Sequence, residues 1–359
     1  MLETTGQYAD EAQQRVVAMN LKEKVGLMTG RGLTKLILPI HFLVFKQYNR
    51  APYPNNPVLR LDVPSIKFCD GPRGVVSQNS TCFPVAMARG ATFDVALERR
   101  VGEVIGKEVI AAGGNYFAGV CINLLRHPAW GRAQEVYGED PHLLGQMGVA
   151  VTQSVQALGV MACLKHFAMN SMENARFKVD VNCSERTLRE VYLPHFKDCV
   201  DAGAASVMTA YNQVQGEYCG QNKKLIRTIL KDEWGFSGFV ITDFIWGIYD
   251  TVTAAESGMD IEMPWPTHYG KKLVKAVNNG RVDEKHIDEA ATRITGTTLR
   301  FNEILKKNNF DQSVVACEEH RQLARLIAEK SMTLLKNDNS LLPLKRETVK
   351  RIAVLGKLA

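Results

Sequence analysis

GFVITDF, residues 238–244, is the stretch whose reading decides the fold. Phe239, Val240 and Ile241 form a continuous apolar run, with Gly235 and Gly238 before it and Gly247 after it. A short run that is apolar at every position suits a strand covered on both faces, as in parallel sheets. Such a strand gives way at Thr242 and leaves Asp243 at its C-terminal edge, where α/β folds place their chemistry. Asp after a strand also commonly caps the next helix, and this segment alone leaves both roles open.

Working outward, the same pattern recurs. SIKFCD ends on Asp70, GVCINLLR on Arg126, MACLKH carries Lys165 and His166, and ASVMTAYN reaches Tyr211 and Asn212. Between them lie helix-like segments at 93–112, 184–203 and 222–234. Short apolar runs alternating with helices point to a parallel α/β architecture. A (β/α)8 barrel takes roughly 250 residues, so 359 residues suit such a barrel with something attached. In a barrel all these strand ends meet on one face. After about residue 300 the pattern fades into a helix-like stretch, then NSLLPL and RIAVLG, which reads as the first strand of another α/β domain. A lone strand cannot bury its own face, so self-association or pairing with polypeptide outside this chain is expected there.

Composition narrows the class. With 45% hydrophobic and 23% charged residues, the chain is of the soluble globular type. The net charge of +6 comes from scattered basic pairs such as Arg99–Arg100 and Lys223–Lys224 without a run of five, which reads as a solvated surface rather than a nucleic-acid patch. The most apolar stretch, LTKLILPIHFLVF at 33–45, holds Lys35, Pro39 and His41 and is too short to cross a bilayer, so it is expected to be buried or interfacial. The N-terminus carries early acids and no apolar signal core, and the eight cysteines form no CxxC pair, so reduced thiols and a cytoplasmic location are expected.

If the strand ends converge, they gather the acids Asp70 and Asp243, the cations Arg126, Lys165, His166 and Arg176, and the phenol of Tyr211. Such a set matches the directional hydroxyls of a sugar and carries no metal signature. Neither GxGxxG nor the phosphate-loop pattern is present, which disfavours nucleotide cofactors, and no cofactor is expected.

Six ordered motifs carry a resemblance: DGPRG (70–74), GRAQEVYGEDP (131–141), KHFAMN (165–170), ENARF (173–177), MTAYNQVQGEYC (208–219) and GFVITDF. Together they resemble the N-terminal barrel of glycoside hydrolase family 3, most like its β-glucosidases. SMTLLKNDNSLLPL followed by RIAVLG looks like that family's linker and the start of its second, α/β-sandwich domain. The resemblance implies an extension over 1–14, a TIM-type (β/α)8 barrel over 15–300, and over 301–359 a linker with the first strand of a truncated sandwich. It implies a retaining, exo-acting β-glucosidase that removes a non-reducing terminal glucosyl unit. By position Asp243 matches the nucleophile, and Asp70, Arg126, Lys165, His166, Arg176 and Tyr211 match residues that hold the sugar. In the GEDP motif, Glu139–Asp140 is expected to cap the following helix.

Departures from the family pattern matter as much. Phe244 stands where the family usually has Trp, and implies a smaller platform for the sugar. The stretch 32–61 is unlike the family's short segment and implies a remodelled entrance. A retaining glycosidase needs a second carboxyl about 5 Å from the first. In the β-glucosidase branch it comes from the second domain, and no match to it is found in this chain. The N-acetylglucosamine branch uses a His after a KHFPGHG-type motif, whereas this chain reads KHFAMNS. Should an acid reside in this chain, Glu173, Asp180, Glu217 and Glu262 are the first to test. The competing readings are a truncated barrel that binds sugar without cleaving it, and an aldolase-type barrel with Lys165 as the Schiff-base amine.

Overall fold

A computed structural model describes residues 2–45, 50–77 and 79–357. Its main sheet has six strands: β1 (Tyr53–Pro54), β2 (Lys67–Asp70), β3 (Tyr116–Cys121), β4 (Met161–Phe167), β6 (Ser206–Thr209) and β9 (Phe239–Ile241). They lie side by side in that order, parallel except for β1. A second, three-stranded sheet of β5 (Asp180–Val181), β7 (Gln213–Val214) and β8 (Glu217–Tyr218) sits among the connections after β4 and β6. Every residue of β3, β4, β6 and β9 is buried, which is why these strands are apolar without alternation.

Of the closed eight-stranded barrel expected from the sequence, the regular sheet gives a curled half-barrel of six strands. Beyond β9 the backbone is carried by isolated bridges, Ile241 to Ile261, Glu262 to Thr29 and Gly30 to Asn55, the last of which adjoins β1. Segments this short pair through one or two hydrogen bonds each, such as Gly30 N–H to Glu262 O at 2.9 Å. β9 is pinned from below by a buried ion pair. Lys231 Nζ lies 2.8 Å from Asp260 Oδ1, and Asp260 Oδ2 accepts the Val240 N–H at 2.7 Å.

Side-chain caps start the covering helices. Asp94 accepts the Leu97 N–H at the head of Val95–Ala111, and Asp140, followed by Pro141, accepts the Leu143 N–H at 3.0 Å at the head of Pro141–Ala157. The cap read into GEDP is therefore seen at Asp140. The two helices pack on each other and on the sheet, closing one core from Val16 to Ile327.

Two apolar segments lack cover among the described residues. The apolar stretch after residue 33 forms the helix Thr34–Phe45, yet Leu36, Ile40, Leu43 and Val44 face solvent. Apolar residues occupy all sides of this helix, so one face against the protein cannot bury them all. Residues 46–49, which continue that stretch, lie outside the described residues. RIAVLG forms no strand. It has no regular structure and no strand partner among the described residues, and Ile352, Val354 and Leu355 are exposed. Among the described residues, no helix is long and apolar enough to cross a membrane, and all eight cysteines are unpaired thiols.

Candidate active site

Parallel pairing in register brings the C-terminal ends of β2, β3, β4, β6 and β9 to one edge. Asp70 closes β2, Lys165 and His166 lie near the end of β4, Tyr211 follows β6 and Asp243 follows β9. Lys165 donates to Asp70 Oδ1 across 2.7 Å, and Asp70 Oδ1 also accepts the Gly71 N–H at 2.9 Å. Burial is the largest single influence on Lys165 and opposes its charge, yet Asp70, helped by Cys121 and Glu135, tips the balance upward, so the ammonium form holds.

Asp243 does not cap a helix. The next helix, Thr251–Glu256, is capped by Asp250. Instead Asp243 is buried, with 9% of its surface exposed; Oδ1 accepts the Phe244 N–H at 2.7 Å, and Oδ2 has no hydrogen-bond partner. His166 Nε2 is 3.6 Å from that free oxygen. Burial raises the pKa of Asp243 above the usual carboxylate value, opposed in order by the Arg132 charge, the Phe244 N–H, Lys165 and the Tyr211 hydroxyl. Burial together with the cations Arg132, Lys165 and Arg176 pushes His166 well below its ordinary value, so the ring is neutral.

The turn that follows the acid is tight. Ile245 has φ +73°, a strained value for a β-branched residue, while the Trp246 N–H bonds to Phe244 O at 2.9 Å. Gly247 is required there, since a Cβ would stand 2.5 Å from the Asp243 carbonyl oxygen. This turn sends Phe244 back into the core, 4.5 Å from Phe68 and 5.8 Å from Tyr53 between ring centroids. Phe244 is thus a packed ring, not the sugar platform that its position suggests. The exposed aromatic is Trp246, 53% accessible, edge-on to Phe177 at 5.4 Å. Phe177 in turn leans on Tyr211 at 4.8 Å, and the Arg176 guanidinium lies over both rings at 4.9 and 4.7 Å.

Arg132, which carried no expected role, stands where Arg126 was expected. Arg126 is exposed and lines a neighbouring cleft of about 360 Å³ with His127, Asn170, Asp180, Asn182 and Tyr192. Arg132 is the guanidinium whose charge reaches Asp243, Lys165 and His166, held by Glu135 through bonds of 2.8 and 3.1 Å. The loop between them doubles back through turns at 127–133 and is anchored by buried Trp130, whose Nε1–H donates to Glu173 at 3.1 Å. Its signal in the sequence is the GRAQE segment, which supplies both the arginine and its carboxylate partner.

None of the four acids considered for a second role is free in the structure except Glu217, exposed on β8. Glu173 pairs with Arg176 at 3.0 Å, Asp180 holds the Gly216 N–H and the Asn182 amide, and Glu262 accepts the N–H groups of Thr267, His268 and Tyr269.

Comparison with known proteins follows the same residues. The pattern of the glycosyl hydrolase family 3 N terminal domain matches residues 48–297. This chain belongs to glycosyl hydrolase family 3. Thermostable beta-glucosidase B of Acetivibrio thermocellus is 36% identical over 367 aligned residues, covering 97% of this chain and 45% of that protein. The beta-glucosidase of Rhizobium radiobacter is 38% identical over 306 residues, covering 83% of this chain and 37% of its own length. Among solved structures, beta-glucosidase 3B of Thermotoga neapolitana in complex with glycerol superposes with a TM-score of 0.83 at 30% identity, over 92% of this chain and 48% of that one. The chain therefore spans less than half the length of these relatives.

Proposed function

We propose that this chain forms the nucleophile-bearing half of a retaining, exo-acting β-glucosidase. Asp243 attacks the anomeric carbon to give a glycosyl ester, and Asp70, Lys165, His166, Arg132, Arg176 and Tyr211 hold the terminal sugar. The carrying observation is the Asp243 carboxylate, with one oxygen fixed by the Phe244 N–H and the other unpartnered beside two cations and a neutral imidazole. A nucleophile needs a free lone pair held in place, and the surrounding positive charge favours the ionised form that attacks. The bridges that run from β9 back to β1 support reading the whole as a (β/α)8 barrel over about 15–300, with the site at the face where such barrels carry theirs. The engagement of Glu173, Asp180 and Glu262 supports a general acid drawn from polypeptide outside residues 1–359.

The same engagement favours a second reading, in which this chain alone binds a sugar without cleaving it. A 2-deoxy-2-fluoroglucoside with an activated leaving group separates the two. Its aglycone departs without protonation, so the nucleophile is tested apart from the acid. Mass spectrometry of the digested chain should find the adduct on the peptide containing Asp243. An unlabelled chain that glucose still protects against heat would leave only the binding reading.

A further inference from the structure

Asn123 lies just beyond β3 and is 1% exposed. Its amide clasps the backbone of His166: Nδ2 donates to the His166 carbonyl oxygen at 2.8 Å, and Oδ1 accepts the His166 N–H at 2.8 Å. These two bonds fix which end of the amide is oxygen, because a flipped amide would set donor against donor and acceptor against acceptor. The same Oδ1 lies 3.3 Å from the ring nitrogen Nδ1 of His166. An amide oxygen is only an acceptor, so a bare Nδ1 would face it lone pair to lone pair.

We infer that Asn123 is a positioning residue that locks His166 in the Nδ1–H tautomer, leaving Nε2 as a bare acceptor beside Asp243 Oδ2. The opposite tautomer would aim Nε2–H at Asp243 Oδ2, but at 3.6 Å that contact is beyond hydrogen-bond length, whereas Asn123 Oδ1 at 3.3 Å is within reach of Nδ1. The other candidate donor is the Cys121 thiol, 4.0 Å from Nδ1. A thiol is a weak donor, and it does not relieve the clash with Asn123. With Nδ1 protonated, the 3.6 Å between Nε2 and Asp243 Oδ2 separates two acceptors with no hydrogen between them. Hence His166 gives no hydrogen bond to the ionised carboxylate, and the attacking oxygen keeps its lone pair. Whatever docks against Nε2 must bring an O–H or N–H of its own. Building on the sugar-binding reading, the hydroxyl that meets His166 is a donor, so replacing it by fluorine, which accepts only, should weaken binding as much as replacing it by hydrogen.

Long-range proton–nitrogen correlation spectra of the chain labelled with ¹⁵N-histidine read the ring without any sugar, and His166→Gln assigns the signals. The expected pattern is a protonated Nδ1 and an unprotonated Nε2. Asn123→Ala should shift the ring toward the Nε2–H form, and Asn123→Asp, which keeps an oxygen facing Nδ1, should restore Nδ1–H. A native ring protonated at Nε2, or an Nδ1–H unchanged in Asn123→Ala, overturns the inference. If Asn123→Ala does not fold, the native spectrum and Asn123→Asp still decide it. Failure of Asp243 to take up the fluoroglucoside would remove the proposed function and leave this reading of the ring intact.

Discussion

Lys165 and Asp70 meet at 2.7 Å across the width of β3, although 95 residues separate them. The ammonium is almost fully buried and the carboxylate keeps 27% of its side chain in contact with solvent. Breaking a fully buried pair costs roughly 3–5 kcal/mol, because the remaining charge is stranded. Asymmetric exposure makes the two halves unequal. Asp70→Ala strands a buried ammonium and should cost about 2 kcal/mol, while Lys165→Met leaves a carboxylate that water can reach and should cost less than about 1 kcal/mol. Urea unfolding of both variants gives the comparison, and equal costs would contradict the assigned burial.

Asp243→Asn should abolish labelling and turnover together, and it should also stabilise the chain. Burial raises the folded pKa of Asp243 above its unfolded value, so ionising it at neutral pH works against the fold. The amide keeps the shape and removes that penalty, for a gain of roughly 1 kcal/mol of the kind common where active sites store instability. A variant that loses activity because it unfolds would show a lower urea midpoint instead.

Arg132 is the largest influence holding the Asp243 pKa down, so removing it should move the acid limb of activity. In Arg132→Met the carboxyl needs a higher pH to ionise, and the acid limb of kcat/KM on dinitrophenyl β-glucoside is expected to shift upward. The free-enzyme limb reports the ionisation of the nucleophile itself. A limb that stays in place would show that the guanidinium does not sense Asp243.

How much of this was legible in the sequence depends on how local the cause is. Strand ends were legible, because a run apolar at every position must be covered on both faces and its polar terminus must then emerge at an edge. Phe244 was not legible, since its direction is set by the turn at Ile245 and by Gly247, which reverse the chain just after the acid. The choice between Arg126 and Arg132 hangs on how one loop folds back over Trp130, and spacing carries no information about that. Asn123 was hidden for another reason: its role lies in bonds to the backbone of a residue 43 positions away.

His195 should make the fold sensitive to acid. It sits in the helix Pro194–Asp201, both its ring nitrogens are buried without partners, and burial lowers its pKa from 6.5 to about 3. Below pH 6.5 the unfolded chain takes up a proton that the folded chain refuses until about pH 3. Stability therefore falls as pH falls through that window, by up to about 1.4 kcal/mol per pH unit from this group. His166 adds in the same direction. In His195→Leu the urea midpoint should depend less steeply on pH between 6.5 and 4, and an unchanged slope would mean that the ring is protonated in the fold.

The leaving group decides whether a general acid operates within this chain. A good leaving group such as a nitrophenol departs as its anion, whereas an alkyl alcohol or the glucose of cellobiose needs a proton, which a positioned acid contributes at roughly 10²- to 10⁴-fold in rate. Glu173, Asp180 and Glu262 are each occupied, by Arg176, by the Gly216 N–H and by three backbone N–H groups. Acting alone, residues 1–359 should cleave nitrophenyl β-glucosides far faster than alkyl glucosides or cellobiose. Azide should accelerate release of the glycosyl unit, because a small anion attacks the ester without a base. Efficient cellobiose cleavage that azide leaves unchanged would require an acid within the chain. Glu217→Gln would then be the first variant to make, since Glu217 is exposed on β8 and has no such engagement. If that variant also left cellobiose cleavage intact, Glu173→Gln would follow, as its partner Arg176 already lies over Tyr211 at 4.7 Å and could release the carboxylate when a sugar enters.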